Sequence, residues 1–334
     1  MQAHIKAIEY YLPDRIVTNE DLIKDFPEWS VEKIIDKIGV EVRHVAGEQE
    51  TATDMAIAAA LKLFEQKDIK KESIDYLLFC TQSPDYLLPT SACIIQEKLG
   101  LPKQIGALDF NQGCSGFIYG LSLAKGLIYA GIATNILLLT AETYTKFLHK
   151  KDKGNRTIFG DAATATLIST DGFAELGDFC LGTDGSGARN LIVETGGARN
   201  PKKSDIITFD ENNNPVSADY LYMDGSEIFS FTLNTVPSLI AGVISKNKIS
   251  TENVDLYIFH QANKYMLDFL QKKLKIDKEK FYYCLSKFGN TVSSTIPIAI
   301  CESLRDGTLR KNMNIVLVGF GVGYSWGGTI IKLN

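Results

Sequence analysis

Apolar residues in this chain gather into runs of six to nine positions, separated in several places by longer stretches with helical spacing. The runs 75–80 (DYLLFC), 105–110 (IGALDF), 135–142 (NILLLTAE) and 162–170 (AATATLIST) predict strands. So do 255–260 (DLYIFH), 314–321 (NIVLVGFG) and 327–334 (GGTIIKLN). Most are apolar without alternation, as expected of strands buried on both faces. Helical patterns occupy 53–66, 91–100 and 263–274. The alternation of the two predicts an α/β fold.

The strands also repeat. Asp75 opens one run and Asn135 opens another, 60 residues later; Asp255 and Asn314 likewise open runs at a separation of 59. Matching strand type and spacing together predict two copies of one α/β unit. The expected halves are 1–175 and 176–334, with the boundary in a polar, glycine-rich stretch. Segment 196–219 reads as a long exposed insertion, being polar and rich in turn residues.

Composition narrows the classes. The 334 residues are 45% apolar and 22% charged, ordinary values for a folded globular chain. No uninterrupted apolar stretch approaches the ~18 residues of a membrane span. The opening MQAHIKAIEYYLPD lacks a basic region followed by an apolar core, so no signal peptide is expected. Cysteines 80, 93, 114, 180, 284 and 301 form no C-x-x-C pair, which predicts reduced thiols in the cytoplasm and neither disulfides nor a metal site. With 35 Lys and Arg against 40 Asp and Glu, the net charge of −5 argues against nucleic acid as partner.

The most informative segment is 105–131, IGALDFNQGCSGFIYGLSLAKGLIYAG. A strand ends near Phe110, Gly113 marks a tight turn, and a helix pattern starts at Cys114, with Gly131 as its stop. A cysteine there meets the unpaired amides of a helix N-terminus, whose partial charge favours thiolate and predicts a lowered pKa. The small neighbours Gly113, Ser115 and Gly116 admit a substrate carbonyl. The plainer reading is a small buried packing residue, which stands for the other five cysteines.

A nucleophilic cysteine needs a proton acceptor and donors for the developing charge. Strand 255–260 ends in His260, at the carboxyl edge where α/β sites collect, and Asn290 lies in a Gly-Asn-Thr turn before a helix. Either residue alone also fits a structural role, Asn290 as a helix cap. The tail 314–328, NIVLVGFGVGYSWGG, runs a strand into a glycine-dense loop able to present backbone amides. A dinucleotide loop is excluded, because 11 residues after Gly323 cannot hold the required helix and strand.

Cys114 in NQGCSGF, His260 in FHQAN, Asn290 in KFGNTVSS and the GFGVGYSWG tail together resemble the thiolase-like condensing enzymes, and within them the β-ketoacyl-acyl-carrier-protein synthase III family. The resemblance spans the chain and implies a duplicated βαβαβαββ unit in five layers, α-β-α-β-α. No histidine follows His260 and GFGVG carries no cysteine, so the Cys-His-His and two-cysteine branches of the superfamily do not fit.

The resemblance implies that Cys114 takes an acyl group from acyl-CoA, with an oxyanion held by the amides of Cys114 and Val322. His260 and Asn290 then stabilise the enolate left when malonyl on its acyl carrier protein loses CO2. No tightly bound cofactor is implied. Trp29, Lys153, Gly225, Phe229 and Asn263 fall at the family's CoA and pantetheine positions, and Leu88 at the position a second subunit of a homodimer contributes to the acyl pocket. Lys264, Lys272 and Lys273 belong to a run with six lysines against Asp268, Asp277 and Glu279, where the family docks its acidic carrier. Three departures stand out: Lys153 where the family stacks an arginine, Tyr265 in place of an arginine on the docking helix, and Leu88 for a frequent Phe. The rival readings are an acyltransferase without decarboxylation, with Glu142 as base, and a non-catalytic scaffold that binds carrier proteins.

Overall fold

The computed structural model describes residues 1–210 and 214–334. Ten strands form one hydrogen-bonded sheet that reads as two half-sheets. In the first, Gly106–Phe110, Tyr76–Cys80 and Asn135–Glu142 run parallel, followed by antiparallel Ala162–Ser169 and His4–Tyr11. In the second, Leu256–Phe259 and Asn314–Gly321 run parallel, followed by antiparallel Ser325–Leu333. Ala174–Leu176 pairs with both His4–Ile5 and Ile331–Leu333, which joins the halves.

The repeat read from the spacing has a chemical counterpart. The Asp75 carboxylate accepts from the amides of Thr134 and Asn135 at 2.7 and 2.9 Å, and Asp255 accepts from the amide of Asn314 at 2.8 Å. In each half an aspartate entering one strand fixes the start of its parallel neighbour. Strands Asn135–Glu142 and Asn314–Gly321 have the predicted bounds. The strand His4–Tyr11 and the short Ala174–Leu176 and Cys180–Thr183 were not predicted.

Helices complete the layers. We label them α1 Asn19–Asp25, α2 Val31–Lys37, α3 Ala52–Gln66, α4 Ser91–Leu99, α5 Gly116–Tyr129, α6 Lys153–Ile158, α7 Gly225–Lys246, α8 Lys264–Lys273 and α9 Thr295–Arg305. α5 touches strands of both half-sheets, and α9 packs between them too; α3 and α4 cover the first half outside and α7 the second. That gives the five layers. α5 is apolar on nearly every face, and Phe117, Ile118, Leu121, Ala124 and Ile128 are wholly buried, as its central place requires. At Gly120 the sheet approaches so closely that a Cβ would lie 2.6 Å from Leu138.

α7 has 22 residues, of which an 18-residue stretch has a mean hydropathy of 1.5, long and apolar enough by composition to cross a bilayer. Here it lies across the second half-sheet, with Phe231, Val236, Leu239, Ile240 and Val243 in the core. The expected insertion holds a short ribbon, Thr208–Phe209 with Pro215–Val216; residues 211–213 of that segment lie outside the described ones.

Candidate functional site

Cys114 sits in the turn between strand Gly106–Phe110 and α5, which begins two residues later than the pattern suggested. The turn closes with Gly116 N–H donating to Gly113 O at 2.7 Å. Glycines are obligatory around it. A Cβ on Gly113 would lie 2.4 Å from Val322 Cγ1, one on Gly116 2.3 Å from Cys80 Sγ, and one on Gly319 2.9 Å from Ser115 Cα. The C-terminal glycines are thus the surface on which the Cys114 turn rests. They belong to the hairpin of Asn314–Gly321 and Ser325–Leu333, not to a long loop; only residues 322–324 form the turn.

A cavity of about 70 Å³ opens at the thiol, and Cys114, His260, Asn290 and Val322 all line it. Gly225 and Asn263 line its mouth, and Tyr144, Phe159 and Phe320 are among the apolar walls. His260 follows the strand Leu256–Phe259, its amide donating to Val318 O at 2.8 Å. Asn290 is held by its backbone, donating to Ile158 O at 2.9 Å and accepting from Gly160 N–H at 3.1 Å. Its Oδ1 accepts from Val292 N–H at 2.9 Å, which turns Nδ2 toward His260 Nε2, 3.5 Å away. The other ring nitrogen, Nδ1, lies 2.7 Å from the hydroxyl of Thr295, the first residue of α9.

Electrostatics correct one expectation. The Cys114 thiol is not lowered but pushed up to about 12, chiefly by burial and then by the Glu142 carboxylate. The backbone amides of Val322 and Cys114 bear on the sulfur and pull the other way. At 8% exposure the loss of hydration outweighs the amides, which sequence spacing alone could not weigh. His260, 2% exposed, is pushed down to about 3 by burial, so its ring is neutral, with a lone pair on one nitrogen.

Glu142 is the residue whose weight the sequence understated. It is wholly buried; Oε2 accepts from Gln82 N–H at 3.0 Å and Ser83 Oγ at 3.2 Å, and Oε1 from Ser293 Oγ at 3.0 Å. Burial raises its pKa to about 8, so at neutral pH it holds its proton most of the time and spares Cys114 a neighbouring charge. The sign for stability follows. Between about 4.5, its ordinary value, and about 8 the unfolded chain has lost a proton that the folded one keeps, so this group makes stability fall as pH rises. Glu142→Gln should flatten that decline, by about 1.4 kcal/mol per pH unit at most, in melts run from pH 5 to 8. A variant whose stability follows the wild-type curve would contradict the assignment.

The remaining predicted residues lie apart from the thiol. Phe229 lines an adjoining hollow with Gly225, Asn263 and Tyr265. Phe229, Tyr265 and Phe269 form an aromatic group at its rim, with centroids 5.2 to 6.4 Å apart. Trp29 packs beside Phe26 and Ile34, with Lys33 Nζ 4.7 Å from its ring centroid, and Lys153 pairs with Glu28 at 3.2 Å. Lys264 pairs with Asp268 at 3.2 Å, and Lys272 and Lys273 sit in the last turn of α8. Leu88 is 82% exposed beside the exposed Tyr86 and Leu87, and does not line the cavity of this chain.

Gly321 offers a test of the geometry that needs no substrate. A Cβ there would lie 2.9 Å from Cys114 Sγ and 2.8 Å from its Cβ, while Gly321 itself has no left-handed φ. Gly321→Ala should therefore keep the fold and slow alkylation of Cys114 by iodoacetamide about tenfold or more, since a misplacement of ~1 Å costs up to about 100-fold. Unchanged alkylation kinetics would refute the contact.

Two family models match the chain: one described as 3-Oxoacyl-[acyl-carrier-protein (ACP)] synthase III over residues 108–185, and its C-terminal counterpart over 244–333. A relative in Clostridium perfringens, "Beta-ketoacyl-[acyl-carrier-protein] synthase III", is 38% identical over 325 residues, 97% of each chain. Among solved structures, a 3-oxoacyl-(acyl-carrier-protein) synthase III is similar at 45% identity and a TM-score of 0.97, covering all of both chains. The 3-oxoacyl-(acyl-carrier protein) synthase of Burkholderia xenovorans LB400 is similar at 35% identity and a TM-score of 0.90, over 100% of this chain and 94% of that one.

Proposed function

This chain belongs to the β-ketoacyl-acyl-carrier-protein synthase III family of condensing enzymes, and from that premise we propose how its own residues do the chemistry. The enzyme joins an acyl-CoA starter to malonyl-acyl carrier protein, releasing CO2 and CoA. The observation that carries the assignment of roles is the convergence of Cys114, His260 and Asn290 on one small cavity.

In the first half-reaction the Cys114 sulfur attacks the thioester carbon of acyl-CoA as its proton passes to the neutral His260 ring. The carbonyl oxygen becomes an oxyanion facing the amides of Cys114 and Val322. As the tetrahedral adduct collapses, the C–S bond to CoA breaks, CoA leaves with the proton, and acyl-Cys114 remains. In the second, the malonyl thioester oxygen lies between His260 Nε2 and Asn290 Nδ2. The carboxylate leaves as CO2, its bonding electrons form an enolate held by these two donors, and the enolate carbon attacks acyl-Cys114. The C–S bond to Cys114 breaks, giving the β-ketoacyl thioester and free enzyme.

The pantetheine arm enters past Gly225 and Asn263, whose Oδ1 also caps α8 by accepting from Met266 N–H at 2.9 Å. Gly225 leaves its side of the mouth open, with nothing within 4 Å of an added Cβ. Trp29 and Lys153 receive the nucleotide end of CoA. Lysine has no planar face to stack, so a looser grip is expected than an arginine would give. The carrier protein docks on α8 through Lys264, Lys272 and Lys273, with Tyr265 and Phe269 adding apolar contact beside them. A homodimer fits the exposed Tyr86–Leu88 tip and the strand Gly106–Phe110, which ends the sheet with an unpaired edge. A cytoplasmic setting is in keeping with six free cysteines.

The rival acyltransferase loses its support at Glu142, whose oxygens are already engaged by Ser83, Ser293 and Gln82 and which does not line the cavity. Incubation with acetyl-CoA alone should add one acyl group, located at Cys114 by peptide mass spectrometry and absent from Cys114→Ala. Active protein with no such adduct would sink the covalent scheme.

A further inference from the structure

A second pocket, of about 220 Å³, is lined by Arg156 of α6 and shares only Phe159 with the Cys114 cavity. Its polar lining is cationic: Arg15, Arg43, Lys150 and Arg156, with Thr145 beside them. Among the described residues only one ion pair meets any of these four, Arg156 with Asp25 at 2.9 Å.

Arg43 is the unusual member. It is 1% exposed, yet no carboxylate balances it. One terminal nitrogen donates to Asn19 Oδ1 at 2.9 Å and to Thr157 O at 3.1 Å, the other to Val17 O at 3.3 Å, and Nε is buried without a partner. Burial, and then repulsion from Arg156, push its pKa down to about 10. A buried guanidinium with no carboxylate beside it, lining one pocket with Arg15, Lys150 and Arg156, carries a cost that an anion bound in that pocket would reduce.

We propose that this pocket binds a phosphate dianion, free or as a monoester, through Arg43 and Arg156 with Arg15 and Lys150 closing over it. Four cations in reach of one small cavity suit a doubly charged, tetrahedral oxyanion better than a carboxylate, which could engage only one or two of them. The site is separate from the chemistry at Cys114, but it is wired to it. The stem of Arg43 packs against the backbone around Gly160 and Gly289, and Thr157, which Arg43 holds, precedes the residues that fix the Asn290 backbone. Occupancy therefore braces the loop that carries Asn290.

The test uses the full chain, with inorganic phosphate titrated at constant ionic strength and melting temperature and calorimetry as readouts. Wild type should show a saturable rise in melting temperature that chloride does not reproduce. Arg15→Gln/Lys150→Gln alters two exposed side chains outside the Cys114 site and should weaken phosphate binding at least about tenfold while leaving the phosphate-free melt unchanged, because each hydrogen bond to a charged group is worth about 10- to 100-fold. Equal phosphate stabilisation in the double variant, or none in wild type beyond chloride, would overturn the proposal. A competition arm separates the sources. If CoA displaces phosphate and 3′-dephospho-CoA does not, the bound group is the ribose phosphate of CoA; if both leave phosphate binding intact, the ligand is free phosphate.

Discussion

Asn290→Ala should separate the two half-reactions, leaving acylation of Cys114 within about twofold of wild type while decarboxylation of malonyl carrier protein falls about 100- to 1000-fold. That is the loss when one preorganised donor to a developing oxyanion is removed. The side chain has no proton to trade and its Oδ1 is occupied by Val292 N–H, so only Nδ2 faces the reacting atoms. In the acyl transfer the oxyanion faces the amides of Cys114 and Val322, so Asn290 contributes nothing that alanine removes. The backbone bonds to Ile158 and Gly160 hold the loop whatever the side chain. Asn290→Asp serves as a control, because it keeps an acceptor for Val292 N–H while losing the donor; it should lose decarboxylation as well. The measurements are the acyl-enzyme mass and release of labelled CO2, and equal loss of both in Asn290→Ala would make the assignment wrong.

How much of this was legible beforehand divides along physical lines. Strands buried on both faces announce themselves as continuous apolar runs, and Asn135–Glu142 and Asn314–Gly321 were located to the residue. The Cys114 turn was legible because a strand end, a glycine and a helix start follow one another within a few residues. α7 was not. Ser230, Thr232, Asn234 and Thr235 break its apolar pattern, Pro237 lies inside it, and its register is set by the half-sheet beneath. The insertion's ribbon escaped for a similar reason, since two residues a side give no periodicity.

Properties set by distance in space were the least legible. The downward pKa expected for Cys114 followed from a local feature, the helix start, whereas burial and Glu142, 28 positions away, decide the outcome. The phosphate pocket draws on residues 15, 43, 150 and 156, four cations that look like ordinary surface charges in sequence. Thr295 directly follows the KFGNTVSS motif of Asn290. Nothing in its neighbours shows that its hydroxyl meets a histidine 35 positions earlier.

That hydroxyl shapes the second large effect, expected of His260→Ala. The ring has two duties that require opposite tautomers. To take the Cys114 proton, Nε2 must carry a lone pair; to donate to the malonyl thioester oxygen, Nε2 must carry a hydrogen. The Thr295 hydroxyl has one proton and two possible acceptors, His260 Nδ1 at 2.7 Å and Val292 O at 3.1 Å. Pointed at Val292 O, it accepts from Nδ1–H and leaves Nε2 basic. Turned toward Nδ1, it leaves the hydrogen on Nε2. Rotation of one hydroxyl thus partners either neutral tautomer, and the ring is charged only while it carries the Cys114 proton on to CoA, a brief state in keeping with a pKa pushed down to about 3. His260→Ala should slow acylation about 100-fold or more and decarboxylation about 100- to 1000-fold, in contrast to the one-sided loss in Asn290→Ala. Because the two side chains are 3.5 Å apart and act on one oxygen, the double variant should lose less decarboxylation than the product of the single losses. Thr295→Val should cost about 5- to 150-fold in both steps by stranding a buried ring nitrogen, and Thr295→Ser should restore them. The pH profile of acylation should show no inflection near 6.5, where an ordinary histidine titrates. A wild-type inflection there, or a Thr295→Val enzyme as fast as Thr295→Ser, would remove the hydroxyl from the mechanism.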